Sequence, residues 1–117
     1  NQRQSRHGLL TRVFDELSDW SADGGFGALL PRMLTFSSLG YRYTLGDMIG
    51  GNGYTGDGHS GYVLNGSVLP PPELYVRWAQ MFTLLPMQFS FGPWQYADNH
   101  TIDVAGLVED VFALRGE

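Results

Sequence analysis

The chain has 117 residues, room for one domain with a real core and too little for two. Seven basic and twelve acidic residues give a net charge of -5, and every basic residue is an arginine. No basic stripe exists to release counterions from a nucleic acid. No apolar run nears the ~18 residues of a membrane span, and without cysteine neither disulfides nor thiolate chemistry is available.

Seven Phe, six Tyr and three Trp argue against disorder, while sixteen Gly and six Pro give loops a large share of the chain. It opens on Asn1-Gln2-Arg3-Gln4 and stops at Arg115-Gly116-Glu117, directly after an apolar helical run. The expectation is a piece of something larger, with any targeting segment elsewhere.

Residues 1–12 are polar, then mixed, and read as loop or weakly extended. Val13, Phe14, Leu17 and Trp20 recur at three and four, predicting a short helix over 13–20. Ser21 to Gly25 breaks it, and Asp23 is placed to cap the next helix. Phe26 to Leu39 predicts that helix, with Pro31 near its first turn and Gly40 at its stop. Tyr41 to Leu45 is aromatic and β-branched, a buried strand ending at Gly46-Asp47. Residues 48–69 read as loop, because positions 50–61 hold six glycines in twelve. Pro70-Pro71-Pro72 and Glu73 open a helix that runs to Leu85 before Pro86. Met87 to Phe91 alternates as a short strand, Gly92-Pro93-Trp94 turns, and a last helix starts at about Asp103.

Helices alternating with short strands imply an α/β fold with a parallel sheet. Two strands alone would leave open apolar edges, so further strands are expected outside the chain. In such folds sites lie beyond the C-terminal ends of strands. Two ends are available, at Asp47 and its following glycines, and at Phe91-Gly92-Pro93-Trp94. Asp47 either caps a turn or contacts a sugar hydroxyl where the glycines allow close approach. The glycine loop is no phosphate cradle, lacking Gly-Lys-Ser/Thr, and its Asn52 and Asp57 do not fit a calcium loop.

Asp15, Asp19 and Asp23 follow one another at intervals of four, with Glu16 beside the first. On a helix they form a solvated acidic face, or else paired carboxylates of the kind glycoside hydrolysis uses. His7, His59 and His100 share no periodic face, so no metal set is expected. The three tryptophans either fill the core or stack on sugar rings. Asn65-Gly66-Ser67 and Asn99-His100-Thr101 are sequons in predicted loops; they permit a secretory-pathway lumen or an extracellular location and fix neither.

Three strings in order, Gly40-Tyr41-Arg42-Tyr43…Asp47-Met48-Ile49-Gly50-Gly51-Asn52-Gly53-Tyr54, Glu73-Leu74-Tyr75-Val76-Arg77-Trp78-Ala79-Gln80 and Pro86-Met87-Gln88-Phe89-Ser90…Pro93-Trp94, resemble glycoside hydrolase family 31. More narrowly they resemble its myogenesis-regulating glycosidase subgroup. The resemblance implies a (β/α)8 TIM barrel, incomplete here, with residues 1–117 forming roughly its last third. It implies a retaining α-glycosidase acting on α-galactosides or α-glucosides, with no cofactor and no metal. The implied partners are a carbohydrate substrate and the remainder of the parent barrel.

Within that resemblance Arg12-Val13-Phe14-Asp15 and Trp20 match the acid/base segment, making Asp15 the acid/base. The wider family shows Trp-x-Gly-Asp there, from which Val13-Phe14-Asp15 departs; Trp20-Ser21-Ala22-Asp23 imitates it, leaving Asp23 as rival. Asp47 matches the aspartate at the floor of the sugar subsite. Arg12, Arg77, Trp78, Gln88 and Trp94 join it as implied substrate-binding residues. Gln88-Phe89-Ser90-Phe91 stands where most members carry Arg-Asn-His. The family's nucleophile lies upstream of the acid/base, and the first fourteen residues contain no Asp or Glu. The chain alone is therefore expected to be inactive. The alternatives are a catalytically dead carbohydrate-binding relative and a structural α/β domain.

Overall fold

A computed structural model describes residues 10–58, 61–89 and 91–116. Strand β1 (Leu10–Arg12) pairs in parallel with β2 (Tyr43–Leu45), joined by helix α1 (Phe26–Ser38). A hairpin of β3 (Tyr62–Leu64) and β4 (Ser67–Leu69) comes next. Helix α2 (Pro72–Met81), a 3-10 turn (Pro93–Tyr96) and helix α3 (Val104–Arg115) complete the order. The fold is α/β with two small sheets and three helices, and it does not close into a barrel among the described residues. Parallel pairing is present in β1–α1–β2, although β1 falls in the stretch read as loop or weakly extended. Beyond β2 a single parallel bridge joins Met48 to Gln88, with α2 between them in sequence.

The three helices stand where their patterns place them, with local differences. Gly40 adopts φ 89° just past α1, as a helix stop requires. Pro31 sits inside α1 rather than in its first turn. The N-cap is Gly25, so Asp23 does not cap this helix. Pro72 starts α2, but the helix ends at Met81 rather than Leu85. Residues 82–85 instead tighten into turns whose carbonyls receive Arg115 from α3: its Nη1 donates to Phe82, Thr83 and Leu85 at 2.7, 2.9 and 2.7 Å. A cation there offsets the negative end of the helix dipole. Asp103 caps α3, accepting the Gly106 amide at 3.0 Å.

Three expectations fail. Residues 13–20 form no helix, because distant partners take their backbone groups. Val13 extends the β ladder, its amide donating to Leu45 at 3.0 Å; Leu17 and Ser18 donate to Gly24 and Tyr54 at 2.6 Å each. The expected strand over 87–91 shrinks to the Gln88 bridge among the described residues; Ser90 lies outside them, as do His59, Ser60, residues 1–9 and Glu117. Pro86 offers no donor, and past Met48 the neighbouring strand turns away at Gly50 and Gly51, both with positive φ. The stretch read as loop over 48–69 contains the β3–β4 hairpin. Asn65 and Gly66, at φ 49° and 80°, form the two-residue turn that suits twisted strands.

The core gathers Leu29 and Met33 of α1, Leu74, Tyr75, Trp78 and Ala79 of α2, and Val104 and Val108 of α3 around Ile49, Leu69, Phe82 and Tyr96. Tyr75 and Tyr96 pack with ring centres 5.1 Å apart, and Tyr96 donates its hydroxyl to the Pro70 carbonyl at 2.7 Å. Of the two sequon asparagines, Asn65 is exposed at the hairpin turn and Asn99 is half-buried. Asn99 accepts the Thr101 and Ile102 amides and donates to the Tyr62 hydroxyl at 3.2 Å.

Candidate functional site

Parallel pairing brings the C-terminal ends of β1 and β2 to the same edge, with Arg12 opposite Leu45. Asp15 lies three residues beyond the first end and Asp47 two beyond the second. Arg12 joins them: its Nη2 donates to Oδ1 of Asp15 and to Oδ1 of Asp47. The two carboxylates have opposite surroundings, for the Asp15 side chain is 67% exposed and that of Asp47 is fully buried.

Asp47 adopts φ 79°, a left-handed conformation that short polar side chains tolerate best after glycine. Its Oδ2 accepts the Glu16 amide at 2.6 Å, and the Met48 amide adds a further bond. Burial raises its pKa above the ordinary carboxylate range, and the amides and the Arg12 charge only partly offset this. Arg12 is held above its usual value chiefly by its bond to Asp15, against the opposing effect of burial. With both oxygens engaged and no surface, Asp47 anchors the Arg12 guanidinium from below.

The segment around Asp15 is built from buried polar contacts that the sequence pattern does not reveal. Glu16 is fully buried and is held by Arg32 of α1, whose Nη1 lies 2.7 and 2.5 Å from its two oxygens. Ser18, also buried, donates to the Gly50 carbonyl and accepts the Gly53 amide, each at 2.7 Å. Asp19 accepts the amides of Ser21 at 2.9 Å and Gly56 at 2.7 Å. The first half of the glycine loop is therefore interior: Gly50, Gly51 and Gly53 are buried, Gly51 against the backbone of Glu16 and Leu17, Gly50 against Pro70 and Tyr75, and Gly53 against Phe91 and Val68. A helix over 13–20 would put Glu16 and Asp19 on a solvated face instead.

Gln88 stands beside this edge through its bridge to Met48, and its carbonyl accepts the Ile49 amide at 2.8 Å. Arg77 and Trp78 are elsewhere. Arg77 lies on the exposed face of α2, bonded to Gln80 at 3.1 Å and 3.9 Å from Glu73. Trp78 is in the core against Phe26, ring centres 5.3 Å apart. Trp94 is 74% exposed beside Gly92, and Trp20 is exposed with its ring edge-on to Phe26. Asp23 is exposed and gives Arg32 its backbone carbonyl. A groove of about 380 Å³ between α1, β2 and Leu84–Pro86 has an apolar lining that includes none of Arg12, Asp15 and Asp47. Among the described residues no three His, Asp or Glu side chains converge to hold a metal ion.

The chain is 44% identical over 108 residues to the myogenesis-regulating glycosidase of Mus musculus, a match covering 89% of the chain and 14% of that protein. It is 35% identical over 97 residues to the SITS-binding protein of Tetronarce californica, covering 82% of the chain and 12% of that protein. The chain thus spans a small part, 14% and 12%, of the length of these relatives. No protein-family model and no solved structure matches it. Similarity running in order across most of the chain makes it a homologue of glycosidases of the family 31 type, matching a short stretch of their length.

Proposed function

We propose that the chain belongs to a retaining α-glycosidase, of which it forms roughly the last third of a (β/α)8 barrel, with Asp15 as acid/base. Two features support the barrel: β1–α1–β2 is a parallel βα unit, and the Met48–Gln88 bridge begins another across α2. The observation that carries the catalytic reading is an exposed Asp15 at one strand end, bonded to an arginine anchored by a buried Asp47 at the next. An open carboxyl can reach a glycosidic oxygen and deliver a proton to it. Arg12 has N–H donors beyond the Nη2 bonds, directed by a guanidinium that Asp47 keeps in place, and these serve sugar hydroxyls. Gln88 and Trp94, at the end of the next strand segment, supply further subsite contacts, with an α-galactoside or α-glucoside as substrate. A nucleophile from outside the chain stands roughly 5 Å from Asp15 and forms the glycosyl-enzyme. Asp47 is not that nucleophile in this reading, because its side chain is fully buried beneath Arg12 and the Glu16 amide.

The test is Asp15→Asn in the full-length protein, assayed on α-glycosides with poor and with activated leaving groups. Only the poor ones need a proton, so their turnover falls by about 10²–10⁴-fold while activated aryl glycosides lose far less. Asp23→Asn leaves both rates near wild type. Equal small losses on the two substrates, or the leaving-group signature in Asp23→Asn, would overturn the assignment. No turnover by the wild-type protein would favour a carbohydrate-binding relative without catalysis.

A further inference from the structure

One residue after Asp15 stands a carboxylate that the proposed chemistry does not use. Glu16 is fully buried, and three separate segments take its polar groups. Its side chain accepts Arg32 Nη1, its amide donates to Asp47 at 2.6 Å, and its carbonyl accepts the Asn52 amide at 2.9 Å. Arg32 also reaches the Asp23 carbonyl through Nη2, so one side chain of α1 clasps the loop on both sides of Ser18. On the other flank the Val13 amide is fixed to Leu45 at 3.0 Å. Between these two pins lie only Phe14 and Asp15, and both are exposed.

We propose that Arg32 is a positioning residue for Asp15, acting through Glu16. The inference rests on Asp15 being the acid/base. An apolar residue of similar size at position 16 would avoid the desolvation penalty of a buried ion pair. What the pair adds is direction, since both carboxylate oxygens are held by one guanidinium nitrogen. That fixes the backbone where Asp15 leaves it and so where the Asp15 carboxyl and its bond from Arg12 lie. A displacement of about 1 Å at a proton donor is worth up to about 10²-fold in rate.

The experiment uses the full-length protein with Arg32→Met, Arg32→Lys and the charge-balanced double variant Glu16→Gln/Arg32→Met. Folded fraction, KM and kcat are measured on a poor and an activated leaving group. In Arg32→Met, kcat on the poor leaving group falls at least about tenfold, while KM and the activated substrate change less than about threefold. Arg32→Lys restores most of the loss, because an ammonium still holds Glu16. If Arg32→Met does not fold, the double variant carries no unpaired buried charge and shows the same signature. Parallel loss on both substrates, tracking the folded fraction, overturns the proposal and leaves Arg32 a purely structural residue. Asp15→Asn run alongside separates the failures: leaving-group dependence there without it in the Arg32 variants sinks this inference alone, and its absence in both sinks the acid/base assignment as well.

Discussion

Asp47, Glu16 and Asp19 are three carboxylates bound into the same loops, and the protein sets their protonation in opposite directions. Burial dominates at Asp47 and Glu16 and raises both, in spite of Arg12 and Arg32. At Asp19 burial is again the largest single influence, but the bonds from Ser21 and the Gly56 amide together outweigh it and lower the pKa. The stability consequences depend on which state holds the proton. A carboxyl lowered in the folded state contributes stability above its ordinary pKa and loses it as pH falls through the folded value. The raised pair acts in reverse, since their contribution is greatest in acid and declines as pH rises through their folded values. Asp19→Asn in the full-length protein should therefore lower the thermal midpoint more at pH 7 than at pH 3. An equal loss at the two pH values would show that Asp19 stays protonated or unbonded, contrary to its two amide donors.

At the scale of elements, the glycine loop separates two roles that composition alone merges. Gly51 and Gly58 have nearly the same φ, 80° and 81°. A Cβ on Gly51 would stand 2.8 Å from the Glu16 carbonyl oxygen and 2.9 Å from Leu17 backbone atoms, whereas one on Gly58 meets nothing within 4 Å. Gly58→Ala should cost about 1–2 kcal/mol, the penalty of left-handed backbone alone. Gly51→Ala should cost clearly more, because rigid backbone must move, and the backbone that moves carries Asp15. Matched thermal melts of the two variants check this, and similar losses would remove Gly51 from the site's frame. The same contrast explains which elements are legible in the sequence. Helices α1, α2 and α3 show there because each buries a periodic stripe and is bounded by Gly, Pro or a capping Asp. Residues 13–20 mimic that stripe while their backbone pairs with partners up to 36 residues away, as from Ser18 to Tyr54, which periodicity cannot register. The hairpin does leave a signal, Asn65-Gly66 between apolar runs, and the surrounding glycines mask it. Asp47 is legible as a carboxylate at a strand end and Asp15 only through the family's motif. The Glu16–Arg32 pair leaves no trace, since a single long-range ion pair has no period.

The whole molecule is a slab of 47 × 38 × 19 Å, with a radius of gyration of 14.9 Å against about 13 Å for a compact chain of this length. Its accessible surface is 7047 Å², where about 6,300 Å² is usual for this mass. The excess is apolar in places that sheets and barrels ordinarily cover. Leu10 at the start of β1, Tyr43 in β2, Leu30 and Leu34 along α1, and Leu84 at 90% exposure all face solvent. Of the stretch 41–45, expected to be a buried strand, only Leu45 is buried, at 8%, so the parallel pair itself shares the deficit. Each such side chain forfeits part of the roughly 1.5–3 kcal/mol that full burial supplies, while entire domains are stable by only about 5–15 kcal/mol. The two-stranded sheets add unpaired backbone edges that favour association. The 117-residue chain expressed alone should therefore bind hydrophobic dyes, self-associate at micromolar concentration and melt over a broad range. It should also fail to hydrolyse aryl α-glycosides, because the proposed chemistry takes its nucleophile from outside the chain. A dilute monomer with dispersed amide resonances and a sharp cooperative transition would show instead that α2, α3 and the hairpin suffice to hold the slab together.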